Sequence, residues 1–271
     1  MDYQKELITT HRNKIFSPFL RAIKEYSLIE NNDKIAVCIS GGKDSFLMAL
    51  CFKEILKYTE IPFEVVYLVM DPGYSKNHLD EIITNAKKLD IPITIFKSNI
   101  YKISSEQEKN KCYICAKMRR GALYSKAQEL GCNKIALGHH YDDVIETFLM
   151  SILYSGEVAG MRPIVKSDNY SNMSLIRPMY FVRERDIIEY QKSCDLTFLK
   201  CACFMTKDKA LCESSKRQIV KKLIKDLDTD NEYVAKNIFR SQANVNLNKL
   251  ISYKLKDKIY ELIKEESVDD D

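Results

Sequence analysis

The stretch that decides the fold is KIAVCISGGKDSFLMAL, residues 34–50. Its apolar run at Ile35–Ile39 is typical of a buried strand, and apolar residues recur at helical spacing after residue 44. The residues between strand and helix are Ser40, Gly41, Gly42, Lys43, Asp44 and Ser45. Glycines let backbone N–H groups approach an anion, and a helix N-terminus adds its positive end. The stretch therefore predicts a phosphate-binding loop.

Two common phosphate loops do not match this sequence. A Walker loop, G-x-x-x-x-G-K-[ST], would need a glycine in place of Val37 and a serine or threonine in place of Asp44. The dinucleotide motif G-x-G-x-x-G is also missing from the stretch. Ser40 and Ser45 can donate hydrogen bonds to phosphate oxygens, and Lys43 can neutralise their charge. Asp44 can cap the helix or hold a metal ion.

Strands and helices alternate outward from the loop. The sequence predicts strands at 35–39, 62–70, 91–97 and 134–140, and helices at 4–28, 44–58, 76–90, 115–130 and 143–154. This alternation predicts an α/β fold, a doubly wound parallel sheet whose ligand lies at the carboxyl ends of the strands. Residues 104–111 are predicted to form a loop, 213–265 to be mainly helical, and 265–271 to be a solvated acidic tail.

The composition is that of a globular protein. The chain has 271 residues, of which 45% are hydrophobic and 30% charged. The net charge of +4 does not by itself indicate a nucleic-acid partner, but basic residues concentrate at 109–120 and 215–225. Such clusters suit phosphate contacts, although a solvated helix face explains the second equally well. No membrane-length apolar run or apolar signal core is seen, so we expect a cytoplasmic protein with no membrane segment.

Nine cysteines is a high count for such a protein. In a reducing compartment, clustered cysteines more often bind metal or perform redox chemistry than form disulfides. Cys112-x-x-Cys115 is followed much later by Cys201, Cys203 and Cys212. Zinc bound by four thiolates (Cys112, Cys115, Cys201 and Cys203), a redox pair and an iron–sulfur cluster are all open on spacing alone. Cys38 and Cys51 lie in the predicted strand and on an apolar helix face, where we expect core packing.

Several polar residues follow the predicted strands. Asp142 and Asp143 lie where the fourth strand gives way to a helix, and Asp143-x-x-Glu146 resembles a capping box. His139 and His140 are adjacent in an extended segment, so their side chains should point in opposite directions and at most one should line a nucleotide pocket.

The loop S-G-G-K-D-S is the signature of PP-loop ATP pyrophosphatases, which cleave ATP between the α and β phosphates. The wider pattern resembles the tRNA 2-thiocytidine synthetase family within that group. It consists of C-x-x-C-x-x-x-R-R-G, K-I-A-L-G-H-H-x-D-D, R-P, V-R-E-x-D-I and a late cysteine, and spans most of the chain. No cysteine precedes Cys38, whereas related 2-thiouridine synthetases carry N-terminal zinc knuckles. This difference favours the cytidine branch.

The resemblance implies a 4Fe–4S cluster held by Cys112, Cys115 and Cys201, with one iron that no protein ligand occupies. The late site here reads C-x-C instead of the usual C-x-x-C, so Cys203 is the alternative third ligand. The same resemblance implies a catalytic pair, Asp143 and Arg119. Arg119 lies four residues after Cys115 and should therefore share its helix face.

The implied activity is 2-thiolation of tRNA, at cytidine 32 in the anticodon loop, with ATP, Mg²⁺ and the cluster as cofactors. The base would be adenylated before sulfur, supplied by a cysteine desulfurase or sulfide, replaces its oxygen. Besides the loop residues 40–45, we expect nucleotide contacts from Asp71, Gly138, His139 and Arg177. The alternatives are uridine 2-thiolation and a zinc-stabilised PP-loop ligase that forms amides, and a homodimer is among the oligomeric states left open.

The predicted domains are an N-terminal helix at 1–30, a PP-loop domain at 31–205 and a helical C-terminal extension with an acidic tail at 206–271.

Overall fold

The computed structural model describes residues 2–100, 111–199, 215–230, 233–256 and 258–262, without the side chains of 111–113 and 230. Its strands are β1 (Lys34–Ile39), β2 (Glu64–Asp71), β3 (Ile93–Lys97), β4 (Lys134–Ala136), β5 (Ile164–Lys166), β6 (Ser174–Ile176), β7 (Ser252–Leu255) and β8 (Lys258–Glu261). Its α-helices are α1 (Tyr3–Ile8), α2 (Ser17–Glu25), α3 (Lys43–Ile55), α4 (Lys76–Lys88), α5 (Lys111–Glu129), α6 (Tyr141–Ser155), α7 (Glu184–Ser193), α8 (Lys216–Asp230) and α9 (Val234–Ser241).

Six strands form one sheet in the order β3-β2-β1-β4-β6-β5. Every neighbouring pair is parallel except β5 and β6, which are antiparallel. The chain winds from β1 through β2 to β3 in one direction and then places β4 on the other side of β1. Because the winding reverses between β1 and β4, a crevice opens at their carboxyl ends, as the doubly wound fold predicts.

The central strand β1 is buried on both faces. Ile35, Val37 and Ile39 belong to the main hydrophobic core, which also contains most of α3. Ala36 and Cys38 belong to a second core cluster beneath α5. A strand that is covered on both faces has a continuous apolar sequence. For this reason the bounds predicted from the sequence, 35–39, differ from those of β1 by only one residue.

The N-terminal and C-terminal regions differ from the predictions. The single helix predicted at 4–28 is wrong, because α1 ends at Ile8 and a π-helical turn at Arg12–Phe16 precedes α2. The interruption brings the buried His11 Nε2 to 3.1 Å from Ser193 Oγ, a tertiary contact that sequence periodicity does not record. The prediction of a mainly helical 213–265 holds for α8 and α9 but is wrong for β7 and β8, which form an antiparallel hairpin.

The predicted strand at 134–140 is too long. It ends at Ala136, because His140 already caps the following helix and the residues between them leave the sheet. Cys51 is fully buried in the core, as expected. Among the described residues, no helix is long and apolar enough to cross a membrane. Residues 104–110 of the predicted loop, the boundary at 205/206 and the acidic tail at 265–271 lie outside the described residues.

Candidate functional site

A cavity of about 380 Å³ lies at the carboxyl ends of β1, β2 and β4. Residues that follow three separate strands meet here, together with one face of α5. Its lining includes seven of the residues predicted from the sequence: Ser40, Asp44, Ser45, Arg119, Gly138, His139 and Asp143. The remaining lining residues are Cys38, Ile39, Met70, Ala116, Arg120, Leu123 and Leu137. Cys38 is thus both a buried core residue and part of the cavity wall.

The loop at the floor of the cavity is fixed by its own hydrogen bonds. Ser45 Oγ donates to the Gly42 carbonyl oxygen at 2.9 Å and accepts from the Ser40 amide at 3.1 Å. Gly41 has a φ of +92°, in the left-handed region that favours glycine. Gly42 is the N-cap of α3, so the amides of the first helical turn begin directly after the loop. The loop therefore presents a helix N-terminus to the cavity.

Gly138 brings the chain after β4 against this loop. A Cβ atom at Gly138 would lie 3.2 Å from the amide nitrogen and Cα of Ser45 and from the carbonyl carbon of Asp44. Because all three are backbone atoms, any residue with a Cβ atom would require the two segments to separate by a few tenths of an ångström. The cavity floor thus depends on contact between two segments that are far apart in sequence.

Lys43 points away from the cavity lining. Its Nζ lies 3.1 Å from an Asp44 carboxylate oxygen and 3.1 Å from Glu184 Oε1 on α7. Burial would raise the pKa of Glu184, but a hydrogen bond from Lys221 and the charge of Lys43 outweigh it and hold that pKa at about 2. Glu184 is therefore a carboxylate at neutral pH and links Lys43 to Lys221 on α8.

Asp143 is held from two sides. Its Oδ2 accepts a hydrogen bond from the His140 amide at 3.0 Å, and its Oδ1 accepts one from Arg217 on α8 at 2.7 Å. Burial would raise the pKa of Asp143, but the charges of His140 and Arg217 lower it below its usual value. The capping box of α6 pairs His140 with Asp143, so the box suggested by Asp143-x-x-Glu146 is wrong. Glu146 instead accepts from Arg217 Nε at 2.9 Å.

The two adjacent histidines have different environments. His139 lines the cavity, and its buried Nδ1 has no hydrogen-bond partner within the described ranges. Burial lowers the pKa of His139 to about 4, with Asp143 opposing that shift, so the ring is neutral at pH 7. His140 is buried, and its Nδ1 accepts from the Asp143 amide at 3.4 Å. Only His139 is available to a ligand in the cavity.

Two predicted nucleotide contacts lie beside the cavity lining instead of in it. Asp71 Oδ1 accepts hydrogen bonds from the amides of Gly73 at 2.9 Å and Tyr74 at 2.7 Å, so this carboxylate stabilises the turn after β2. Arg177 follows β6 and donates to the Arg162 carbonyl oxygen. Its buried Nε has no partner in the described part of the chain. Burial and the charge of Arg120 lower the pKa of Arg177 to about 10.

Comparisons with known proteins identify the family of this chain. A family model described as a PP-loop domain matches residues 11–203. A Coxiella burnetii (strain RSA 493 / Nine Mile phase I) protein named tRNA-cytidine(32) 2-sulfurtransferase is 36% identical over 244 residues, 87% of this chain and 91% of its own. A Geotalea uraniireducens (strain Rf4) protein of the same name is 33% identical over 258 residues, 93% of this chain and 98% of its own. The chain belongs to the tRNA-cytidine(32) 2-sulfurtransferase family of PP-loop proteins.

Membership of the tRNA-cytidine(32) 2-sulfurtransferase family confirms the resemblance seen in the sequence and the predicted enzyme class, a tRNA sulfurtransferase. Among solved structures, the chain is similar to the U34-tRNA thiolase NcsA from Methanococcus maripaludis with its 4Fe–4S cluster. The TM-score is 0.67 at 22% identity, and the match covers 84% of this chain and 77% of that one. Likeness at this identity shows a shared fold, so the predicted fold class is confirmed as well.

The cysteines that resemble the family's cluster ligands are only partly described. Cys115 is 7% exposed and packs with Met70 and Ile100 beside the cavity, and Arg119 on the next turn of α5 lines the cavity. Cys112 belongs to the same helix, but its side chain is not described, and Cys201, Cys203 and Cys212 lie outside the described residues. Within the described residues, no group of three or more His, Cys, Asp or Glu side chains could hold a metal ion.

Sequence reasoning missed three charged residues that reach the site: Glu184, Arg217 and Lys221. The two basic residues lie in the cluster at 215–225, for which the sequence favoured RNA phosphates and a solvated helix face equally. The missed signal was the spacing of Arg217 and Lys221, four residues apart on one helix face. Their acidic partners come from α6 and α7, so the pairing is visible only in three dimensions.

Proposed function

We propose that this protein catalyses the ATP-dependent 2-thiolation of cytidine 32 in the anticodon loop of tRNA. The observation that carries the proposal is the assembly of the phosphate loop, Asp143 and Arg119 around one cavity. The relatives named tRNA-cytidine(32) 2-sulfurtransferase, which match 87–93% of the chain, support the same activity. An anticodon-loop base is already single-stranded, so it can be turned into a pocket at small energetic cost.

ATP would bind with its phosphates on the loop at residues 40–45. The helix N-terminus suits phosphate oxygens, and so do the hydroxyls of Ser40 and Ser45 once they turn from their partners in the loop, Ser45 Oγ and the Gly42 carbonyl oxygen. The unsatisfied Nε of Arg177 is a further donor for an anion. Asp44 fits a Mg²⁺ ion carried by the phosphates, because it lines the cavity and its buried Oδ1, although 3.1 Å from Lys43 Nζ, has no hydrogen bond from the described residues. Mg²⁺ is commonly held by one or two carboxylates together with substrate phosphates.

In the proposed chemistry, the C2 oxygen of the base attacks the α-phosphorus of ATP, and the bond to pyrophosphate breaks. AMP then becomes the leaving group at C2 when a sulfur nucleophile attacks. Arg119 can neutralise the phosphate charge in the cavity, since it has no ion pair with any described residue. Asp143 is ionised and can accept a proton from the group that attacks C2.

A 4Fe–4S cluster with one iron that no protein ligand occupies would supply the sulfur. Its proposed ligands are Cys112, Cys115 and Cys201, with Cys203 as the alternative third ligand. The described residues fit such a group, because Cys115 is buried beside the cavity and Cys112 lies one helical turn earlier. Leu199, two residues before Cys201 in the sequence, lies close to the phosphate loop, because a Cβ atom at Gly41 would be 2.8 Å from its side chain. Thiolate ligands of this kind suit iron–sulfur clusters as well as zinc.

Nucleoside analysis tests the proposed activity. Purified protein, tRNA, ATP and a sulfide source should yield 2-thiocytidine by mass spectrometry, with AMP and pyrophosphate as the other products. Asp143→Asn should abolish thiolation in a folded protein, because asparagine still accepts the capping hydrogen bond but carries no charge. Asp226→Asn, an exposed position on α8, is the matched control and should remain active. ADP and phosphate as products would refute adenylation, and 2-thiouridine alone would favour the uridine alternative.

Substitution of cysteines tests the cluster. Serine at Cys112, Cys115 or Cys201 should remove most of the iron absorbance of an anaerobic preparation and all thiolation, whereas serine at Cys203 or Cys212 should keep both. If Cys203→Ser loses the cluster and Cys201→Ser keeps it, Cys203 is the third ligand. If both lose it, four thiolates are bound and the open-iron proposal fails. A colourless preparation that contains stoichiometric zinc would support the zinc-stabilised alternative.

A further inference from the structure

Arg217 bridges two carboxylates of α6 at the edge of the cavity. One terminal nitrogen lies 2.7 Å from Asp143 Oδ1, and Nε lies 2.9 Å from Glu146 Oε2. The two carboxylates are three residues apart and therefore lie on the same face of α6. A planar guanidinium with several fixed donors can serve both, which a lysine ammonium does less well.

Hydrophobic packing places Arg217 in advance of any ligand. Val220 and Ile224 on α8 are buried against Ile145 on α6, with Ala235 of α9 completing the cluster. This packing fixes α8 along α6 and leaves Arg217, one turn before Val220, over the first turn of α6. The Arg217 side chain is 44% exposed, but it already contacts both carboxylates before any substrate arrives.

Arg217 has a different effect on each carboxylate. The Glu146 side chain is only 6% exposed, so its charge needs a partner for the protein to fold stably. The Asp143 side chain is 19% exposed and belongs to the cavity wall. One oxygen of Asp143 is held by the His140 amide, and Arg217 holds the other. With a single point of attachment the carboxylate could rotate, whereas two points fix the plane of the group.

We propose that Arg217 is a positioning residue, which holds the Asp143 carboxylate in the orientation required for thiolation. The inference rests on the proposed function, in which Asp143 is catalytic. This role would make α8 part of the active site, although α8 lies beyond the residues matched by the PP-loop family model. Arg217 itself does not line the cavity, so it acts through Asp143 without touching the nucleotide.

Four variants and one matched control separate positioning from folding. Glu146→Gln keeps Arg217 and removes the buried charge, so it should fold and turn over within about twofold of the parent. Arg217→Met leaves Glu146 unpaired and should be less stable. The double variant Arg217→Met with Glu146→Gln removes both charges and should recover stability. Arg217→Lys restores one cation, and Lys222→Gln, exposed on the same helix, is the matched control.

The test measures kcat and the KM for ATP separately in the tRNA thiolation assay. In the folded double variant, kcat should fall by about 10- to 100-fold, the range expected for a lost charge-assisted hydrogen bond, with KM for ATP unchanged. Arg217→Lys should recover part of kcat. A folded double variant with kcat within twofold of the parent would overturn the inference. A raised KM with unchanged kcat would also overturn it, by assigning Arg217 to nucleotide binding.

The same experiment distinguishes this inference from the proposed function. If the unsubstituted protein makes no thiolated nucleoside, the proposed function fails before any variant is compared. If the unsubstituted protein is active, Asp143→Asn is inactive and the double variant is active, only the role of Arg217 fails. A loss of kcat in Glu146→Gln equal to that in the double variant would assign the effect to Glu146, which also overturns the inference.

Discussion

Gly138→Ala probes the contact on which the cavity floor depends. The new Cβ would lie 3.2 Å from three backbone atoms of residues 44 and 45, closer than nine in ten such contacts in proteins. No side chain can rotate away to relieve it, so the end of β4 and the phosphate loop must separate by a few tenths of an ångström. Added atoms in a packed region cost about 1–3 kcal/mol, and we expect a loss of unfolding free energy in that range.

The same displacement should weaken the binding of ATP more than the binding of tRNA. In the proposed binding mode, the helix N-terminus and the hydroxyls of Ser40 and Ser45 donate to the phosphates, and these donors move together when the loop moves. A loss of about 1.4 kcal/mol of binding energy corresponds to a tenfold weaker affinity. We therefore expect the KM for ATP in a pyrophosphate-release assay to rise about tenfold or more, with tRNA affinity little changed.

Gly121→Ala is the matched control for this substitution. Gly121 lies in α5, and among the described residues its Cβ would meet only the Tyr170 hydroxyl, at 3.7 Å, which is an ordinary contact distance. Because alanine favours a helix over glycine by up to about 1 kcal/mol, this variant should be as stable as the parent or more stable. The reasoning is refuted if Gly138→Ala keeps both its KM for ATP and its urea midpoint at the values of the Gly121→Ala control.

Three further outcomes follow from charge and burial. Glu184→Gln should lower the unfolding free energy measured in urea by about 1–3 kcal/mol, because Glu184 is half-buried and pairs with two lysines. The loss should be smaller for Glu189→Gln, since Glu189 lies on the exposed side of the same helix. Burial in the folded state lowers the pKa of His139 to about 4, so the unfolded state binds more protons below pH 6.5. The free energy of unfolding should therefore fall as the pH drops from about 6.5 towards 4. His139→Gln should flatten that part of a plot of urea midpoint against pH. Cys51→Ser should destabilise the core without loss of iron, whereas Cys115→Ser should lose iron.

Much of the fold could be predicted because the central elements repeat one simple pattern. Lys34–Ile39 is buried on both faces, so its apolar run was visible as a strand, and α4 carries clear helical spacing. The helix α3 contains a continuous apolar run at residues 46–52, and its 13 residues are too many for a typical strand. The strands β5 and β6 have three residues each, which is too short for any period to be recognised. The hairpin at 252–261 is also short and mostly exposed, and its charged residues resemble those of a solvated helix.

The candidate site could be predicted only in part. Residues after β1 and β4 meet because parallel strands end at the same edge of the sheet, a rule that needs no coordinates. The direction of each side chain could not be predicted in this way. Asp71 accepts a hydrogen bond from an amide after β2, and Lys43 donates one to Glu184. Arg217 could not be assigned to Asp143 from the sequence, because that contact depends on how α8 packs against α6.

The order of synthesis determines when the long-range contacts of the site can form. The partner of Lys43 in α7 lies 141 residues later in the chain, and Arg217 follows Asp143 by 74 residues. A nascent chain that has completed its phosphate loop therefore lacks the groups that organise the lysine and the carboxylate. Chains interrupted during translation before α8 would leave Ile145 on α6 without the apolar residues that cover it, so they should be poorly folded and readily degraded. The ion pairs of α8 thus couple assembly of the site to completion of most of the polypeptide.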